Sequence, residues 1–338
     1  MSTIQSQPED NSDAIVDAPQ HVDEYAPRDF PDEVRGSASL VSDYQVCPAK
    51  AYGRITRQVQ QSKGIALVQG IAIHTTLEKY ITERSNPADV LSKTLALEAE
   101  RGGISLENDD GVKAFEVSNL CVDNGIKFLN HVRPDGSRFV DHIDPEYVEK
   151  GFSLRRNGKL YVGKIVVLYY DDAGSIVLDW KSGKTAPTAF KMQENLQFSI
   201  YAWAAASDPE LTKTYGQLPK KGVYVHLRGQ NTEKSVDGRR LPISRKTDPA
   251  RIQYSFTTER THEQIDRHFA DTIDPVMDQI AEKRFYRNVG DACSWCNYFD
   301  KTKERCTVEL PNDLPKVLGP NPPPPEDDSD IPWTTEPV

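Results

Sequence analysis

Hydrophobic positions fall at helical spacing in the first half of the folded body and at strand spacing from about residue 147. In the stretch SASLVSDYQVCP at 37–48, Ser37 or Ser39 is placed to cap a helix that Pro48 ends or bends. Over 70–81, Ile73, Leu77 and Ile81 mark a second helix, and i,i+4 spacing sets His74 and Glu78 on one face. Residues 88–100 and 111–131 also carry a helical period. Alternation then predicts strands at 147–155, 159–170 and 175–181, joined by turn-like segments at 156–158 and 171–174. A helix over 188–206 carries Gln197 and Tyr201 one turn apart. A strand at 222–227, a polar loop around 229–250 expected to be disordered, a strand near 252–256 and a helix near 259–284 follow. The predicted class is α/β, a mixed central sheet with flanking helices and a helical segment before it.

The chain has 338 residues, 37% of them hydrophobic, with a mean hydropathy of −0.60, which is the range of one large or two ordinary globular domains. Its longest apolar runs, such as 165–170, are strand-sized and far below the ~20 residues that span a bilayer. The first residues have neither a basic start nor an apolar core, so no signal peptide is expected and the cytoplasm is the default compartment. Net charge is −10, but it is unevenly spread. Residues 1–35 hold nine acids and two bases, and residues 311–338 hold six acids and one base. What remains is a body of about +2, compatible with a polyanionic partner. The expected organisation is a disordered acidic arm (1–35), one folded domain (36–310) and a disordered Pro-rich acidic tail (311–338).

Two groups of residues carry candidate chemistry. In the predicted strand at 175–181, Asp179 and Lys181 stand at i and i+2, so a carboxylate and an ammonium leave the same face of a segment that is otherwise apolar. Such a pair can hold a divalent metal beside a charge that activates water or stabilises a pentavalent phosphorus. The second group is cysteine. Cys293 and Cys296, with Cys306 and the distant Cys47, supply four thiolates, the number required by a [4Fe–4S] cluster or a structural Zn²⁺. Cys121, among Leu120 and Phe128, reads as core packing. The histidines other than His74 have no partner at ligand spacing and read as surface or structural.

Taken in order, Ser37 to Cys47-Pro48, Gly70 to His74, Gly163-Lys164-Ile165, Asp179-Trp180-Lys181, Gln197 to Tyr201 and the terminal cysteine trio resemble the RecB-type branch of the PD-(D/E)XK nuclease superfamily, which includes CRISPR adaptation nucleases and phage exonucleases. The resemblance spans roughly 37–306 and implies a restriction-endonuclease-like fold closed by an iron–sulfur cluster on Cys47, Cys293, Cys296 and Cys306. It implies Mg²⁺ or Mn²⁺ held by His74 and Asp179, with Lys181 and Gln197 positioning water and phosphate. The family's carboxylate after Gly-x-Ile is replaced here by Val166. With Asp171 and Gly174 flanking a two-residue turn, the antiparallel register puts Val166 opposite Asp179 and Lys164 opposite Lys181. A carboxylate restored at 166 would then face Asp179. Glu78 and Glu194 are the sequence's nearest candidates for a substitute ligand.

The resemblance implies a DNA exonuclease of phage or bacterial recombination and repair, working in the cytoplasm of a bacterial host cell. Val166 raises the alternative of a catalytically degenerate DNA-binding protein of the same fold. Tyr201, Lys184 and Arg228 are the expected DNA contacts, Arg228 belonging to a run of bases around the polar loop. The tail stretch DDSDIPW at 327–333 is similar to the acidic tip by which bacterial single-stranded-DNA-binding proteins recruit repair enzymes. It points to a helicase, recombinase or other repair protein as a partner.

Overall fold

The computed structural model describes residues 28–58, 64–171, 174–183, 187, 189–215, 218–219, 221–228, 253–256, 260–312 and 314. Most of both acidic arms, the whole of the 229–250 loop and Lys184 therefore lie outside the described residues. In chain order the elements are β1 (Arg35–Gly36), α1 (Ala38–Val46), α2 (Pro48–Ile55), α3 (Ile65–Glu83), α4 (Pro87–Gly102) and α5 (Asp109–Leu129). There follow β2 (Val148–Arg156), β3 (Lys159–Asp171), β4 (Gly174–Lys181), α6 (Ala189–Gln193), α7 (Leu196–Ser207) and α8 (Pro209–Tyr215). The chain closes with β5 (Lys221–His226), β6 (Gln253–Phe256), α9 (His262–His268), α10 (Asp274–Ala281), β7 (Phe299–Asp300) and β8 (Arg305–Cys306). Among the described residues, no helix is long and apolar enough to cross a membrane.

Local chemistry accounts for the element boundaries. Ser37 caps α1, its hydroxyl accepting from the Leu40 amide at 3.2 Å. α1 ends at Val46, just before Pro48 as the sequence suggests, and Pro48 then starts a new helix, because proline at the first turn needs no amide partner. Cys47 is the extended residue between the two helices. The helix expected over 188–206 is likewise two helices, broken where Asn195 turns to cap α7 through the Phe198 amide. The β2–β3 hairpin turns on Asn157 and Gly158, both with positive φ (51° and 75°), as a two-residue hairpin turn requires.

The sheet runs β1-β3-β4-β5-β6, with β2 on the far edge of β3. The pairs β2–β3, β3–β4 and β5–β6 are antiparallel, and β4–β5 and β1–β3 are parallel. Two hydrophobic clusters flank it. One joins α1, α2, α7, α9 and α10 to Tyr161, Ile165, Leu168 and Val177, and the other joins α3, α4 and α5 to Val167, Ile176, Leu178, Trp180, Val223 and Val225. The sheet is covered on both faces, which is why β4 reads as an unbroken apolar run around its one carboxylate.

The β3–β4 ladder has the expected register from Asp171↔Gly174 to Val167↔Leu178, but pairing stops there. On that edge β3 next pairs with β1, at Leu160 and Tyr161. The two central strands therefore part at the level of Asp179. Side-chain alternation breaks at the same point: Val166 and Val167 both join the cluster of Leu178 and Trp180, whereas Ile165 and Leu168 join the other. Val166 is 6% exposed. The expectation that it takes a carboxylate's seat facing Asp179 is thus corrected, since the parting of the strands removes the cross-strand pair on which it rested.

Two stability predictions follow from this packing. Val166→Asp should bury an uncompensated charge among Leu178, Trp180 and Val167 and destabilise by more than about 3 kcal/mol; a urea midpoint equal to wild type would contradict this placement. Gly222 lies opposite Val177 on the β4–β5 ladder, and a Cβ there would run into the Phe198 ring of α7. Gly222→Ala should lower stability by about 1–3 kcal/mol, read by thermal denaturation.

Candidate active site

The candidate site lies where β3 and β4 diverge, between α3 on one side and α7 on the other. Asp179 is buried at 3% exposure on β4 and pairs laterally with Tyr224 of β5. One of its oxygens, Oδ2, accepts from Lys181 Nζ at 2.6 Å. The other, Oδ1, is buried with no hydrogen-bond partner and stands 4.0 Å from His74 Nε2. A buried carboxylate oxygen left unanswered is costly, and it is a ready ligand for a cation.

His74 reaches the same point from α3. Its Nε2 lies 3.0 Å from the Trp180 carbonyl and its Nδ1 lies 3.3 Å from Glu149 Oε1. Both neighbours only accept, so a doubly protonated imidazole satisfies both. Burial works against that charge, but the Glu149 hydrogen bond, the Asp179 and Glu149 charges and the Trp180 carbonyl outweigh it and raise the His74 pKa above its ordinary value. Glu149 was invisible to the sequence pattern. It sits on β2 across from Val166, at the one level where the β2–β3 ladder skips a pair between Val148↔Val167 and Lys150↔Ile165, with φ at 50°. A left-handed glutamate within a strand leaves no signature in hydrophobic alternation.

On the α7 side, the Lys181 ammonium is fixed from three directions. Besides Asp179, it donates to Gln197 Oε1 at 3.3 Å and lies 4.4 Å from the centre of the Tyr224 ring. Gln197 in turn donates to the Tyr201 hydroxyl at 2.9 Å and accepts from the Tyr224 hydroxyl at 2.9 Å, and Asn195 donates to Tyr224 at 2.7 Å. Burial pushes the Tyr201 phenol up to about 12, so it remains a neutral donor and acceptor. Tyr224, Asn195 and Glu149 were missed by the sequence reading. Tyr224 shares the alternation of a predicted strand, but only lateral pairing with Asp179 brings it to the site.

His226 extends this face. It pairs with Lys181 across β4–β5, is 2% exposed, and neither ring nitrogen has a hydrogen-bond partner. Burial first, then the Lys181 charge, holds its pKa below the usual value, so it stays neutral. Of the two expected roles, surface or structural, its burial excludes the first, and lateral pairing with Lys181 sets its position.

The remaining expected residues divide. Arg228 follows β5 on the α5 side, where its charge acts on Cys121; that thiol is buried and pushed up to about 12, which agrees with a core role. Glu194 is exposed and lies 4.0 Å from His268, so it turns away from Asp179. Glu78 stays close to the site: burial and then the Glu149 charge raise its pKa, with Lys164 opposing. The four other expected ligands gather elsewhere. Cys47, Cys293, Cys296 and Cys306 line one cavity of about 520 Å³ together with Lys50, Arg287 and Arg305. The segment carrying the last three cysteines is docked on α1 and α2 by bonds from the Tyr44 hydroxyl to the Arg284 carbonyl (2.6 Å), from the Ala49 amide to Tyr286 (2.9 Å) and from Asn288 to the Val46 carbonyl (3.0 Å).

As the side chains stand, no three His, Cys, Asp or Glu residues among the described ones converge on a metal-binding point. His74 is engaged with Glu149 and the Trp180 carbonyl, Asp179 Oδ1 has no partner, and in the cavity the Cys47 and Cys293 sulfurs contact the Asn288 backbone. By donor type alone, oxygen and imidazole around an unanswered carboxylate oxygen are what a hard divalent cation takes, and thiols are what a metal–thiolate centre takes.

No curated protein matches the chain. Among solved structures, the crystal structure of SSO0001 aligns at 13% identity over 81% of this chain and 96% of that one, with a TM-score of 0.30. The sequence profile of the PD-(D/E)XK nuclease superfamily matches residues 35–300, which include α3 with His74, the parted strands with Asp179 and Lys181, and α7 with Gln197. With a match over so much of its length, the chain belongs to the PD-(D/E)XK nuclease superfamily.

Proposed function

We propose that the protein is a Mg²⁺- or Mn²⁺-dependent deoxyribonuclease, an exonuclease of the RecB-type branch that acts in phage or bacterial recombination and repair. Superfamily membership implies phosphodiester hydrolysis. The observation that carries the reading to these residues is the division of labour on Asp179, with Oδ2 held by Lys181 and Oδ1 buried without a partner beside His74. His74 and Asp179, with the Trp180 carbonyl between them, are the residues that would hold the metal. When bound, the metal supplies Lewis acidity at phosphate and a lowered pKa for attacking water.

The chain's own residues supply the rest. Lys181 is an ammonium donating to a carboxylate, so it cannot take a proton from water. Its remaining donor and its charge serve the oxygen on which negative charge develops at phosphorus. Gln197, Tyr224 and Asp179 hold that ammonium from three sides without spending its last donor, and Tyr201 holds Gln197. Tyr201, Lys184 and Arg228 are the proposed DNA contacts. The acidic tail is proposed to engage a helicase, recombinase or other repair protein.

At the cysteine cavity we propose a [4Fe–4S] cluster, with Zn²⁺ as the alternative. Four thiols from two distant segments face one volume, and Lys50, Arg287 and Arg305 offset the charge that thiolates would bring. A metal centre there would tie α1 and α2 to residues 293–306 and constrain the long intervening chain. The second reading, a DNA-binding protein without cleavage, is favoured by one observation: β3 brings no carboxylate to the cleft, because Val166 packs into the apolar cluster.

Cleavage of end-labelled DNA with Mn²⁺ separates the readings. Asp179→Asn, Lys181→Ala and Gln197→Ala should each lower the rate, the first two by about 10²–10³-fold, with little change in DNA affinity. Cleavage that is indifferent to all three would exclude this site. For the cavity, the purified protein should contain iron and absorb broadly in the visible range, and Cys47→Ser or Cys293→Ser should remove both the colour and several degrees of melting temperature. Stoichiometric zinc without iron would select the alternative.

A further inference from the structure

We propose that Glu149 of β2 is a positioning residue, which holds His74 by Nδ1 and so turns the opposite edge of the ring, Nε2, toward Asp179; the inference rests on the metal-dependent reading of the site given above. The imidazole lies between two sets of partners. Glu149 Oε1 is 3.3 Å from Nδ1, whereas the Trp180 carbonyl at 3.0 Å and Asp179 Oδ1 at 4.0 Å stand by Nε2. Glu149 is thus placed to act on the histidine from its far side, and not to share a ligand with Asp179. Its side chain is 14% exposed, so the bond is partly shielded from water.

A histidine reaching a site from a helix needs such a hold. Its terminal torsion is broad and two-fold, and a half-turn about it puts ring carbons where Nδ1 and Nε2 now stand. A flipped ring would turn a carbon, without a lone pair, toward the unpartnered Asp179 Oδ1. The Glu149 bond selects against that flip, because a ring carbon cannot replace Nδ1–H as its donor. The Trp180 carbonyl favours the same orientation, but its bond is the one that a cation at Nε2 replaces. With the Nε2 lone pair given to a cation, the one remaining ring proton sits on Nδ1, where Glu149 accepts it. Carboxylates hold metal-ligating histidines in this way as a general rule.

The backbone points the same way. At φ = 50°, Glu149 holds a left-handed conformation that glycine adopts freely and a side chain with a Cβ adopts only under strain. No turn requires it, because the β2–β3 register is the same on either side of the skipped pair, at Val148↔Val167 and Lys150↔Ile165. What the conformation accompanies is a reversal of side-chain direction: Val148 packs with the α3–α5 cluster, whereas Phe152, an even number of residues on, packs with the other. The strained residue is also the one whose carboxylate meets His74.

The test is Mn²⁺ binding by the full chain, read from the electron paramagnetic resonance signal of free Mn²⁺, with nitrogen modulation of the bound ion's spin echo reporting an imidazole ligand. Glu149→Ala and Glu149→Gly should each raise the Mn²⁺ Kd about 10–100-fold and weaken the nitrogen modulation. Glu149→Gly should melt above Glu149→Ala, because glycine relieves the left-handed backbone, so a loss of binding common to both is not a loss of fold. Glu149→Gln keeps an oxygen that accepts from Nδ1 and should bind more nearly like wild type than like Glu149→Ala. In a His74→Ala background, Glu149→Ala should change the Kd no further, as befits a residue that acts through the histidine. The positioning role is overturned, with the nuclease reading intact, if Asp179→Asn and His74→Ala lose Mn²⁺ while the Glu149 variants bind like wild type, their loss adds to that of His74→Ala, or Glu149→Gln binds as weakly as Glu149→Ala. If Asp179→Asn or His74→Ala binds Mn²⁺ unchanged, or wild type takes up none, the parent reading falls and this one with it.

Discussion

A carboxyl group buried on a central strand has to be answered on both oxygens, and Asp179 is answered on one. Much of the architecture around it follows from that imbalance. β4 can carry a polar residue in an otherwise apolar run only because Lys181, two residues on, emerges from the same face to meet it. Lys181 in turn is kept in place by α7 and β5, whose Gln197 and Tyr224 have no other common purpose. On the opposite side the parting of β3 from β4 keeps the second oxygen free of ladder partners while α3 brings His74 within 4.0 Å.

That arrangement divides structural from chemical work. The α3–α5 cluster closes over Val166, Leu178 and Trp180 and makes the floor of the site rigid, while the other cluster carries Phe198 and Tyr201 beside the polar residues of α7. The break in alternation shared by β2 and β3 is how the sheet passes from one regime to the other. Below it the strands pack as an ordinary sandwiched sheet; above it they present Glu149 and Asp179 toward a histidine. Rigid strands hold groups to the tolerances that phosphoryl chemistry demands better than loops do.

The sequence was informative where periodicity and pairing are local. The helices around 70–81, 88–100 and 111–131 and the register of the β3–β4 hairpin could be read from spacing alone, and Asp179 with Lys181 and His74 with Glu78 were placed on their faces correctly. What escaped were events decided by tertiary contact. Asn195 splits one helix into two because its side chain has a better use as a cap. Val166 leaves the expected pair because β4 stops pairing with β3 after Val167↔Leu178, an ending that no hairpin register contains. Glu149 was unreadable because hydrophobic alternation assumes extended backbone, and φ = 50° violates the assumption at that residue. The cysteines were chosen from spacing, yet their meeting in one cavity depends on docking between segments about 240 residues apart.

That last separation has a consequence in time. The Tyr44–Arg284, Cys47–Asn288 and Gln58–Glu309 bonds join positions 240, 241 and 251 residues apart. At about 5–20 residues per second of synthesis, α1 and α2 wait about 10–50 s after leaving the ribosome before the segment that completes their surroundings exists. Throughout that interval the Cys47 thiol and the apolar faces of both helices have no native cover from the C-terminal segment. Assembly of this part of the protein therefore cannot be completed before residues 284–309 have been synthesised, and until then the Cys47 thiol lacks its native contact with Asn288.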